Sequence, residues 1–306
     1  MNLVSISDGE QLTVSLLNYG ARITAIEFDG KAVALGYKQI EEYLTDAYYM
    51  GATIGPITNR IAKARLQVNN DGFELPTNEG NNCLHSGGKQ GFDKQTWKVN
   101  SQSDQAVEFE LQYDLAKIGM RGRLKTLAHY SVAQGALTVE YISTASRVCY
   151  INLTNHVYLN LSGDCNNSNI QDHQFELFAT SFVNVDSENI PTGSLSKLAE
   201  PLKYSLGDKP PYPEFAGLCD HHFNVQGPLM MRAESKHSGI KLEVRGNSPG
   251  FQFYTGKFLA SPFSASAGFC VETQLSPDAI NQRNFYAPLL TPAEARRQTS
   301  VYTFSR

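Results

Sequence analysis

Apolar and polar residues alternate with a period of two along most of this chain, and no long stretch repeats with the helical period. Leu12-Thr13-Val14-Ser15-Leu16 opens the series, and Val107-Glu108-Phe109-Glu110-Leu111 is its clearest case. Leu137-Thr138-Val139-Glu140-Tyr141, Lys241-Leu242-Glu243-Val244-Arg245 and the final Val301-Tyr302-Thr303-Phe304 follow. Successive side chains of a strand point to opposite faces, so each run is expected to bury one face. Turn signals separate the runs: Asp29-Gly30, Gln134-Gly135 and Asn247-Ser248-Pro249-Gly250. Asn69-Asn70-Asp71-Gly72, between Leu66-Gln67-Val68 and Phe73-Glu74-Leu75, predicts a hairpin. Helix is confined to two short surface candidates, Gln39 to Thr45 and Ala293 to Arg297. Many strands at short spacing with little helix predict an all-β sandwich or barrel. The Pro-, Gly-, Ser- and Lys-rich stretch from Pro191 to Gly217 reads as a long loop. No repeat or compositional boundary divides the chain, so residues 1–306 are expected to form one domain.

Composition narrows the function. A chain of 306 residues, 41% of them hydrophobic, can bury a large core. Its formal net charge of −4 and pI near 6.0 argue against a polyanionic partner such as nucleic acid. Five scattered cysteines with no Cys-x-x-Cys pair suit reduced thiols in a cytoplasmic protein. The N-terminus lacks a basic region followed by an apolar core, so no signal peptide is expected. No apolar run approaches membrane-spanning length, and no membrane partner is expected.

Five segments carry residues able to do chemistry. Asn152 to Gly163 reads as a strand with Leu153, Val157, Leu159 and Leu161 on one parity. Asn152, Thr154, His156, Tyr158 and Asn160 share the other, and each can hydrogen-bond. In isolation its histidine is an incidental, satisfied side chain as readily as a proton donor. In Gly51 to Ile61, Arg60 sits among apolar residues and needs an acceptor, either a structural partner or a ligand. Asn81 to Lys94 holds His85 in a glycine-rich loop. Its Lys89 is followed by Gln90, which fails the phosphate-loop pattern, and dinucleotide spacing is missing too, so no cofactor is expected. The glycines read instead as a sharp turn holding His85 at a cleft. Leu218-Cys219-Asp220-His221-His222-Phe223 invites a metal, with His85, His156 and Glu272 as further ligands. Neighbours on a strand face opposite ways, so His221 and His222 would not share an ion, and no metal is expected. Finally, Glu272 follows an apolar run in Gly268 to Asp278. Desolvation there would raise its pKa and make it a better base.

In order along the chain, these segments resemble the aldose 1-epimerase (galactose mutarotase) family. Asn59-Arg60-Ile61-Ala62 is similar to the family's Asn-Arg-Ile element. Leu84-His85-Ser86-Gly87-Gly88 with Gly91-Phe92-Asp93-Lys94 and Trp97 is similar to its Leu-His-Gly-Gly loop. Asn152 to Gly163 resembles its Asn-Leu-Thr-Asn-His-x-Tyr-Phe-Asn-Leu strand, and Asp220-His221-His222-Phe223 its Asp-His-Asn-Phe turn. Gln252-Phe253-Tyr254-Thr255-Gly256 and Val271-Glu272-Thr273-Gln274, with Pro277-Asp278 and Asn281, complete the set. Gly55-Pro56 stands where many members have Gly-Arg, and Ile118-Gly119-Met120-Arg121-Gly122 takes the place of a Glu-Gly-(Phe/Tyr)-Pro-Gly loop.

The resemblance implies a large twisted antiparallel β-sandwich and interconversion of the anomers of a hexose such as galactose or glucose. It implies Glu272 as base at the C1 hydroxyl, His156 as acid at the ring oxygen and His85 as an assistant there. Asn59, Arg60, Asp220 and Gln252 would hold sugar hydroxyls. The expected partner is then an aldohexose, bound by a monomer or homodimer. Two rival readings are a glycosidase using Glu272 and Asp220, and a sugar-binding sandwich without catalysis.

Overall fold

The period-two runs become strands whose buried residues are the apolar ones. Leu12, Val14 and Leu16 point inward from Leu12–Leu17, and Val107, Phe109, Leu111 and Tyr113 from Ala106–Asp114. Three of the four predicted turns close hairpins with two-residue loops, while Asn247 to Gly250 joins strands of different sheets. Gln134-Gly135 joins Ala133 to its partner Ala136, and Asp29-Gly30 joins Phe28 to Lys31. Both Gln134 (φ 50°) and Gly135 (φ 75°) are left-handed, as a hairpin turn that follows the strand twist requires. The Asn69-Asn70 loop likewise pairs Val68 with Asp71. This computed structural model describes residues 1–165, 167–206 and 219–306.

Nine antiparallel strands form the larger sheet. In spatial order they are Lys98–Gln102, Ala106–Asp114, Arg123–Ala133, Ala136–Ala145, Arg296–Ser305, Lys241–Gly246, Leu229–Ser235, His173–Leu177 and Leu202–Ser205. Five more form a second sheet in the order Pro191–Lys197, Ser181–Val185, Asp220–Asn224, Gly250–Tyr254 and Cys270–Gln274. The two sheets face each other. Phe175 of the first lies 5.0 Å from Phe253 of the second, ring to ring, and the Tyr302 hydroxyl donates to the Val271 carbonyl at 3.1 Å. Each such buried ring contributes roughly 1.5–3 kcal/mol. A four-stranded sheet, Leu3–Ser7 to Lys31–Ala32, flanks them. The chain is therefore the expected all-β sandwich.

Two expectations need correction. Pro191 to Gly217 is not all loop: Pro191–Lys197 and Leu202–Ser205 are strands, and residues 207–217 lie outside the described residues. Each strand exchanges main-chain hydrogen bonds with a neighbour, and that pairing overrides Pro- and Ser-rich composition. The Ala293–Arg297 helix does not form; Arg296 instead opens the ten-residue final strand, paired along the sheet. Gln39 to Thr45 does turn, as the 3₁₀ segment Ile40–Leu44. The Ile118–Gly122 segment packs away from the cleft described below. Ile118 and Met120 are buried, and Gly119 lies against the Glu74 carbonyl. Among the described residues, no helix is long and apolar enough to cross a membrane. All five cysteines are free and buried.

Candidate active site

The Asn152 to Gly163 segment lies beneath a cleft, and only Thr154–Asn155 forms a true ladder, with Thr53–Ile54. Elsewhere it makes single bridges, Asn152 to Ile57 and Leu159 to both Ala34 and Phe269. The continuous strand expected over Asn152 to Gly163 is thus reduced to this short ladder and the bridges, and the side chains of both parities are buried. Its polar residues are mostly structural. Asn152 exchanges two bonds with the Leu275 backbone, the Tyr158 hydroxyl donates to the Tyr48 carbonyl, and Asn160 donates to the Ala267 carbonyl. His156 differs: its Nε2 faces the Glu272 carboxylate at 3.7 Å.

His85 and Asn59 clasp each other. The His85 N–H donates to the Asn59 carbonyl, and the Asn59 N–H donates to His85 Nδ1, both at 3.1 Å. Both residues have left-handed backbones (φ 50° and 63°), a strained choice for side-chain-bearing residues that these bonds hold in place. The glycine-rich loop works as expected: a Cβ on Gly87 (φ +82°) would meet Pro76 at 2.6 Å. Arg60 finds its acceptor in Glu79, with Nε donating to Oε2 at 2.7 Å and Nη2 to Oε1 at 2.9 Å. The pair is both structural and part of the cleft wall.

Strand parity builds the opposite wall. Across the second sheet, Asp220 pairs with Tyr254, His222 with Gln252, Gln252 with Glu272, and Tyr254 with Cys270. These residues share one face, while Phe253 and Val271 point into the sandwich. Asp220 and Glu272 reach the cleft. Gln252 stands one step back, donating to Asp220 Oδ1 at 2.8 Å, so it positions that carboxylate. His222, buried behind Gln252, takes no part in the cleft.

Burial sets the charges. Glu272 is 2% exposed, and desolvation, reinforced by the Asp220 charge, pushes its carboxyl well above the usual range against the pull of Arg60. The same burial pulls His156 down to about 4. His85 is pulled well below its usual value by burial, and further by His156 and Arg60. Glu272 Oε2 is buried with no protein hydrogen-bond partner among the described residues, so its bonding capacity is unused within the protein.

His85, His156 and Glu272 place ligand-type atoms all within 4.8 Å of one another, a grouping that could hold a metal. The tautomer of His85 opposes it. Because Nδ1 accepts a backbone N–H, the neutral ring carries its hydrogen on Nε2 and has no lone pair left for an ion. The set suits proton transfer. A larger concavity, about 660 Å³, lies across the nine-stranded sheet among paired charges such as Arg232 and Glu243. The titratable cluster sits instead in the smaller cavity of about 200 Å³.

A family description, aldose 1-epimerase, matches residues 2–303. The chain belongs to the aldose 1-epimerase family. The galactose mutarotase of Bos taurus is 37% identical, over 97% of this chain and 92% of that protein. The aldose 1-epimerase of Escherichia coli K12 is 28% identical, over 99% and 94%. A crystal structure of a GalM/aldose epimerase homologue from C. elegans has a TM-score of 0.92 at 26% identity, covering 100% of this chain and 99% of that one.

Of the residues lining the cleft, Glu79 and the aromatic side chains of Tyr48, Tyr49, Tyr254 and Phe258 were not among those expected from the sequence. Glu79 lies 19 residues from Arg60 with no periodicity to join them. The Tyr48-Tyr49 pair was the one visible signal, since adjacent tyrosines in a loop need a reason to be buried or bound.

Proposed function

We propose that this cleft interconverts the anomers of an aldohexose, with Glu272 and His156 as the proton-transfer pair. The buried 3.7 Å approach of Glu272 Oε1 to His156 Nε2 carries this reading. Glu272 takes the proton of the C1 hydroxyl while His156 gives its Nε2 proton to the ring oxygen. The bond between C1 and the ring oxygen breaks, leaving a free aldehyde. After rotation about C1–C2 the steps reverse: the C5 hydroxyl returns its proton to His156 as it attacks the other carbonyl face, and Glu272 returns its proton to O1. No net proton is consumed, and each group contributes roughly 10²–10⁴-fold. Asn59, Arg60 and Asp220 hold sugar hydroxyls, Gln252 orients Asp220, and His85 donates a fixed Nε2–H beside the ring oxygen.

The pair must hold one proton between its two members. In the free cleft that proton rests on Glu272, because burial disfavours both charges. Sugar hydroxyls donating to the carboxylate favour its transfer to His156. Adding a second proton disables the base. Expected kcat/KM is therefore level above about pH 4, falls tenfold per unit below it, and falls again above the raised Glu272 value. An acid limb at pH 6 or higher in the pH–rate profile would contradict this pairing.

Polarimetry on freshly dissolved α-D-galactose or α-D-glucose tests the reaction itself. Equilibration faster than in buffer is expected, and a rate equal to buffer at protein levels that bind sugar would leave only a binding protein. The glycosidase reading needs a second carboxyl group about 5–5.5 or 6.5–9.5 Å from Glu272 acting on a glycosidic bond. The group that faces Glu272 at 3.7 Å is an imidazole, and Asp220 is engaged by Gln252.

A further inference from the structure

The two cleft histidines differ in what holds Nδ1. At His85 it is a backbone donor, the Asn59 N–H, so Nε2 carries a hydrogen that the ring can share but neither lose nor replace. At His156 a thiol lies there: Cys270 Sγ is 3.5 Å from Nδ1, and the ring also bonds the backbone of its own residue. Cys270 stands two residues before Glu272 on the same strand, so both side chains project from the same face and grip opposite sides of the imidazole. The thiol is fully buried, and burial pushes its pKa far upward, so it stays neutral.

Resting on the proton-transfer reading above, we propose that Cys270 is the positioning residue for His156, its sulfur accepting the Nδ1 hydrogen so that Nε2 is free to take and give the catalytic proton. His156 keeps its Nδ1 hydrogen through the whole cycle, so a constant acceptor is what the reaction needs. A neutral sulfur supplies one without stabilising the imidazolium. A carboxylate in its place would hold the proton on the ring and weaken it as an acid. The contrast also separates the two rings: His156 moves the proton, and His85 only donates a hydrogen bond. The other titratable groups facing the His156 ring are His85 and the phenols of Tyr49, Tyr158 and Tyr254. The carboxylates of Asp46 and Asp220 act on it from farther away.

Three variants and one spectrum test this. Cys270→Ser retains a neutral acceptor and is expected to keep kcat within a few-fold. Cys270→Ala is expected to lose about tenfold in kcat with KM little changed, as for one lost orienting hydrogen bond. Cys270→Asp is expected to move the acid limb of the pH–rate profile up by at least about one unit. Nitrogen-15 histidine spectra of the wild-type protein should show Nδ1 of His156 protonated at neutral pH, with its signal shifted in Cys270→Ala. The spectrum reads the contact whether or not the protein turns over sugar, so it fails independently of the reaction assignment. The proposal is overturned by a wild-type His156 protonated on Nε2 alone, by Cys270→Ala matching wild type in kcat and pH profile, or by folded Cys270→Ser being as impaired as Cys270→Ala.

Discussion

Replacing Glu272 with Gln is expected to lower kcat for mutarotation by roughly 10²–10⁴-fold while sugar affinity changes little. The amide matches the carboxyl in shape and still bonds hydroxyls, but it cannot accept the C1 proton. Stopped polarimetry gives kcat, and calorimetric titration with galactose or glucose gives affinity. A variant that turns over near the wild-type rate would show that the base lies elsewhere. The same substitution should stabilise the fold. Glu272 has a folded-state pKa raised above the 4.5 of an ordinary glutamate, so the folded chain binds more protons than the unfolded one across that interval. The contribution of Glu272 to stability is therefore fullest below about pH 4.5 and declines as pH rises toward the folded value. Gln has no such dependence, so the variant's gain in unfolding free energy should be larger at pH 8 than at pH 5. An equal difference at both would mean that Glu272 is not desolvated.

The second large effect is structural. Arg22 Nη1 and Asp46 Oδ2 form a 2.8 Å ion pair with both side chains 0% exposed. Asp46 also accepts the Tyr37 hydroxyl and the backbone N–H groups of Tyr48 and Met50. Arg22 in turn reaches the Tyr19, Met50 and Asp93 carbonyls. Asp46→Ala strands a buried guanidinium, which typically costs about 3–5 kcal/mol. Urea unfolding should show that loss, and KM should rise as well, because Tyr48 and Tyr49 line the cleft. The exposed Arg65–Glu74 pair makes the contrast: Glu74→Gln should change stability by under about 1 kcal/mol. Equal losses at the two positions would mean that burial is not what gives the Arg22 pair its weight.

How much of this could be read from the chain depended on the range of the forces involved. Alternation such as Val107 to Leu111 and turns such as Gln134-Gly135 are set by neighbours in sequence, and they appear where expected. Pro191–Lys197 was hidden because its strand character comes from hydrogen bonds to Ser181–Val185, not from its own residues. Arg296 was lost to a helix reading for the same reason, since Ala136–Ala145 and Lys241–Gly246 extend the final strand back to it. At the site, Arg60, His85 and Glu272 stood out in apolar or glycine-rich settings, Asp220 in a possible metal cluster and His156 on the polar parity of a strand, while their roles came only from the family resemblance.

The residue pattern alone determined an all-β chain, its hairpins and the residue types able to move a proton, because side-chain alternation and turn preference are local. Tertiary structure alone decided that His156 and Glu272, 116 positions apart, meet at 3.7 Å away from water. It decided that Gln252 stands behind Asp220, that Glu79 holds Arg60, and that a backbone amide holds one histidine ring while a thiol holds the other. Those choices fix tautomer and pKa, which depend on burial and on partners brought in from distant strands.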